Sequence, residues 1–123
     1  MLDKQAVLEA TTMAIVTQDG PAMRGMQCSY RSSKGLRCAI GHLISDEYYS
    51  SHFEGEPLTY TLVLDAVSKS LGVGLDSEEV RFLSDLQQAH DNASQLSDFF
   101  IRWTEQLRYL CELYKLRFPE ELV

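Results

Sequence analysis

Apolar side chains recur at three- and four-residue steps along much of the chain, the spacing that gathers them on one side of a helix. Between Asp3 and Gln18 the series Val7, Ala10, Met13, Ala14 and Thr17 marks such a face, closed by Asp19-Gly20-Pro21. From about Leu58 a second helix is marked by Leu62, Val63, Ala66, Val67 and Leu71, with Gly72-Val73-Gly74 as its stop. Asp76 followed by Glu79 has the spacing of a capping box, in which each side chain accepts from the other's backbone N–H. It opens a third helix with Val80, Leu83 and Leu86 inward, running to about His90. The strongest periodicity lies from Leu96 to Leu116, where Leu96, Phe99, Phe100, Trp103, Leu107, Leu110, Cys111 and Tyr114 form a continuous stripe. An aromatic stripe at this spacing predicts core rather than a cofactor box.

Between the first two helices the pattern changes. Met26, Cys28 and Tyr30 alternate with Gln27, Ser29 and Arg31 ahead of the polar turn Ser32-Ser33-Lys34-Gly35, which predicts a short β-hairpin or extended loop over residues 23–36. In Leu36 to Ile44 the residues Ala39, Ile40, Leu43 and Ile44 fit a buried helical turn, and a helix is the expectation there. Residues 46–55 read as a helical turn or loop carrying Tyr48, Tyr49, His52 and Phe53, ended by Gly55 and Pro57. The architecture expected is mainly α: one domain over residues 1–123, a bundle of four to five helices with a short β-hairpin or extended loop near residues 23–36. There is no internal repeat, low-complexity tract or interdomain linker.

Composition agrees with a folded domain. Hydrophobic residues make up 45% of the 123 positions and charged residues 24%, enough for a real core and far from compositions that stay disordered. Eighteen acids against eleven bases give a formal charge of −7, a field that disfavours direct contact with phosphate backbones and so argues against nucleic acid. The acids are dispersed, which suits a solubilising surface better than a mimic of nucleic acid, while the net field favours basic protein partners. The N-terminal residues lack the pattern of a secretory signal and no stretch has the length of a membrane span, so the expected setting is the cytoplasm, with no membrane contact. There Cys28, Cys38 and Cys111 would be thiols, and an odd count also speaks against a disulfide framework.

Chemistry-bearing residues concentrate between Gln27 and Ile44. A helix starting at Cys38 would put His42 one turn later on the same face, and a hairpin ahead of it would bring Cys28 alongside. Cys28, Cys38 and His42 are the ligand types of a small zinc site, with His90, His52 or Asp91 as candidate fourth ligand. The plainer alternative makes both cysteines small buried apolar residues and His42 a hydrogen-bonded one. A third reading makes Cys38, at a helix start beside Arg37, a thiolate nucleophile served by His90 and Asp91. His90 can equally complement the dipole at the end of its helix. Tyr48, Tyr49, His52 and Phe53 would form a protein-binding anchor if exposed, or close the core over residues 36–44 if not. The glycines lack the spacing of a phosphate-cradling loop.

Tyr30-Arg31, Gly35-Leu36, Cys38-Ala39-Ile40-Gly41, Leu43-Ile44, Asp46-Glu47-Tyr48 and Glu54-Gly55, together with Leu86-Gln87 and His90-Asp91, resemble a group of short proteins of unknown function encoded by bacteria and their phages. The matching residues cover roughly a third of the chain. His42 stands where that group more commonly has cysteine, and Ser45 where it more commonly has proline. The resemblance implies a phage or prophage setting and no particular reaction. Small acidic phage proteins of this kind resemble, in size and charge, inhibitors that block a host enzyme or a defence complex such as a CRISPR effector. The functional expectation is therefore a non-enzymatic protein that binds and modulates a host protein in the host cytoplasm. A zinc-stabilised domain and a Cys38/His90 thiol enzyme are the alternatives.

Overall fold

The computed structural model describes residues 1–18, 20–24, 27–32, 34–94 and 98–120, with the backbone alone for 23, 24, 27 and 28. Among these residues the regular structure is four helices, α1 (Lys4–Gln18), α2 (Thr61–Leu71), α3 (Ser77–Ser94) and α4 (Phe99–Tyr114). Two short strands, β1 (Met23–Arg24) and β2 (Gln27–Cys28), pair antiparallel with Met23 opposite Cys28 and Arg24 opposite Gln27. An isolated bridge joins Arg31 to Arg37. The protein is mainly α, as expected. No helix among the described residues is long and apolar enough to cross a membrane.

Helices α3 and α4 form an antiparallel pair. Tyr114 Oη donates to Asp85 Oδ2 at 2.6 Å at one end, and the rings of His90 and Phe99 meet edge-to-face at the other. Between them Phe82, Leu83, Leu86, Trp103 and Leu107 are wholly buried and form the centre of the core. Leu96, placed in the stripe by periodicity, lies outside the described residues; the rest of that stripe is buried or packed against the core. The capping box forms as expected: Glu79 N donates to Asp76 Oδ1 at 2.8 Å and Asp76 N to Glu79 Oε1 at 3.0 Å. Glu79's second oxygen accepts from Leu2 N at 2.7 Å, which fixes the start of α1 to the start of α3. The helix then continues past His90 to Ser94, so His90 lies ahead of its last turn.

Two helix faces differ from the periodicity. α1 buries Val7, Leu8, Thr11, Thr12 and Ile15, whereas Ala10 and Thr17 are exposed and Met13 is 51% exposed. Leu8 and Ile15 remove more apolar area from water than the alanines of the competing stripe, and this decides the rotation of the helix. Thr11 can join them because its hydroxyl donates to the carbonyl of Val7 at 2.9 Å, within the same helix. On α2, Val63, Ala66 and Val67 face inward while Leu62 is exposed. That helix starts at Thr61, Leu58 being buried in the turn before it. It ends at Gly72, whose positive φ of 70° is readily adopted only by glycine.

Residues 36–44 form no α-helix. Cys38, Ala39, Ile40, Leu43 and Ile44 are buried, as their apolar pattern suggested, but in a turn followed by a single 3-10 turn at Gly41–Leu43. This turn runs directly against another segment of the chain: a Cβ on Gly41 would lie 2.0 Å from the carbonyl oxygen of Tyr30. Gly41→Ala must therefore push two backbones apart and should lower the unfolding free energy by about 2–3 kcal/mol in urea titrations. Unchanged stability would mean that this approach does not constrain the loop.

Candidate functional site

The segment between α1 and α2 contains little regular structure, so its backbone groups need other partners. Three helices each supply one. From the last residue of α1, Gln18 Nε2 donates to the carbonyls of Gly20 and Arg37, both at 2.7 Å, while its Oε1 accepts from Arg37 N at 3.0 Å. From α2, Ser70 Oγ accepts from Ser45 N at 2.9 Å. From α3, Gln87 Oε1 accepts from Ile40 N at 3.0 Å. Within the segment Glu54 accepts from the backbone N–H groups of Tyr30 and Arg31 and from the hydroxyl of Tyr49. Arg31 in turn donates to the carbonyl of Ile44 at 2.9 Å, pairs with Asp46 and stacks over the Tyr49 ring.

The candidate chemical residues lie within or beside this network. Cys38 is 1% exposed, and its Sγ accepts from Gly41 N at 3.3 Å. Burial pushes its thiol far above the ordinary range, outweighing the hydrogen bonds that favour the thiolate. It begins no helix, so the dipole proposed to activate it is not there. His42 lies one turn on, its N–H bonded to the Cys38 carbonyl at 3.1 Å, but its ring goes to Gln18 at 3.0 Å. Because the Gln18 amide nitrogen already serves two carbonyls, His42 Nε2 is the donor and Gln18 Oε1 the acceptor. Desolvation, then the Arg37 cation and His90, lower the His42 pKa to about 4.

His90 is wholly buried on α3, where its Nδ1 donates to Asp91 Oδ1 at 3.2 Å. The same Asp91 oxygen accepts from Gln87 Nε2 at 2.7 Å, which links this pair to the loop network. His90 Nε2 has no hydrogen-bond partner among the described residues. The structure thus gives Cys38, His42 and His90 separate partners, Gly41, Gln18 and Asp91. Among the described residues no group of three His, Cys, Asp or Glu could hold a metal ion. The side chain of Cys28, the remaining proposed ligand, lies outside the described residues.

The four residues proposed as a partner anchor divide. Phe53 is 5% exposed and belongs to the core, and Tyr48 and Tyr49 pack partly buried against it. His52 alone is exposed. The group mainly closes the core above the loop, the alternative that its composition allowed.

A different surface was missed. Tyr109 and Leu113 on α4 are 67% and 55% exposed and line a groove of about 280 Å³ between α3 and α4, opposite Asp85, Gln88 and Asn92. The available signal was two large apolar residues one turn apart but off the stripe of Leu107, Leu110 and Tyr114. No protein-family model, curated protein or solved structure matches the chain.

Three measurements check this account. Glu54→Ala leaves two backbone donors and a phenol without their acceptor and should cost about 2 kcal/mol of stability by chemical denaturation. His42, with its pKa lowered on folding, binds its proton more readily when unfolded. Its contribution to stability is complete above the unfolded value near 6.5 and is lost as pH falls towards 4, at up to about 1.4 kcal/mol per pH unit. The difference in unfolding free energy between wild type and His42→Gln, followed across that window, should show this slope; a flat difference would contradict the burial of the ring. Finally, alkylation of Cys38, mapped by mass spectrometry, should proceed only at the rate of global unfolding. Rapid labelling in the native state would revive the thiol chemistry.

Proposed function

We propose that this chain is a non-catalytic protein-binding domain of phage or prophage origin that binds a host protein and modulates or inhibits it, with the outer face of α3 and α4 as its contact surface. The observation that carries the reading is the exposed pair Tyr109 and Leu113 beside the groove that also receives Gln88, Asn92 and Gln106. A large aromatic and an aliphatic side chain flanked by amide groups is the composition of an interface centre, where apolar anchors exclude water and neighbouring polar groups set orientation. Support also comes from the thiol and imidazoles of the candidate corner, which are occupied in internal bonds or deeply buried. The net charge of −7 speeds the approach of basic partners. The phage or prophage setting rests on the resemblance of the Cys38-Ala39-Ile40-Gly41 region and its companion patches.

A photo-crosslinking amino acid placed in turn at Tyr109, Leu113 and His52, in cells of the bacterial host, tests the assignment. Crosslinks to the same host protein from positions 109 and 113 but not 52 are expected. The double variant Tyr109→Ala and Leu113→Ala should lose the partner while keeping its stability within about 0.5 kcal/mol, since both side chains lie on the surface. Crosslinks from position 52 alone would move the contact to the Tyr48–Phe53 turn, and none from any position would overturn the proposal.

A further inference from the structure

We draw no further inference here: the strongest candidate, the apolar groove between α3 and α4, belongs to the surface already described, and with its carboxylate Asp85 engaged by Tyr114 nothing in the structure shows the chemistry of what covers it.

Discussion

A backbone carried into the interior must find a partner for its N–H and C=O groups, and the fold is organised around meeting that need between α1 and α2. Helices satisfy their own amides, but among its described residues this segment has two two-residue strands, one isolated bridge and two single 3-10 turns. Further bonds come from within the segment, through Glu54 and Arg31, and from side chains that reach in from the helices: Gln18 from α1, Ser70 from α2 and Gln87 from α3. The loop is thereby held against three helices at once. The apolar residues Ala39, Ile40 and Ile44 can then join the core without leaving their backbone unsatisfied.

This arrangement also sets the surroundings of the unusual residues. A thiol, two imidazoles and a carboxylate close together suggest catalysis or metal binding, but each is judged by its protonation state and its partners. Cys38 is held as a thiol by burial, His42 is kept neutral by desolvation and by Arg37, and Asp91 bonds to Gln87 and His90. The bonds of Cys38 and His42 tie the loop to itself and to α1, while those of Asp91 lie within α3. Large apolar side chains open to solvent lie elsewhere, among them Met13 on α1, Leu62 on α2 and Tyr109 and Leu113 on α4.

How much was legible in the sequence follows from how local each signal is. The capping box at Asp76 and Glu79 and the stripe through Trp103 and Leu107 depend on residues three or four apart, and both appear as the spacing indicates. α1 was harder because two stripes compete on one helix; Leu8 and Ile15 win on area, which periodicity alone does not weigh. The turn at residues 36–44 was not legible, since its backbone meets distant partners, Gln18, Gln87 and the carbonyl of Tyr30 against Gly41, contacts between chain segments that no local pattern encodes. Gln18 and Glu54 escaped for the same reason: a polar side chain gives no sign in the sequence of which distant amide it will meet. His42 was expected one turn from Cys38 on a helix; a single backbone bond joins the two residues without that helix, and the His42 ring goes to Gln18.

The attachment of α1 has a kinetic consequence. At its C-terminal end Gln18 bonds to the nearby loop, but the bonds that tie its N-terminal end to the helical pair join Leu2 to Glu79 and Gln5 to Arg117, separations of 77 and 112 residues, whereas α3 and α4 meet across one short connection. Bringing distant segments together costs more chain entropy than closing a nearby hairpin, and topologies rich in distant contacts fold more slowly. The C-terminal helical hairpin is accordingly expected to collapse first, with the N-terminal helix docking late onto a surface already formed.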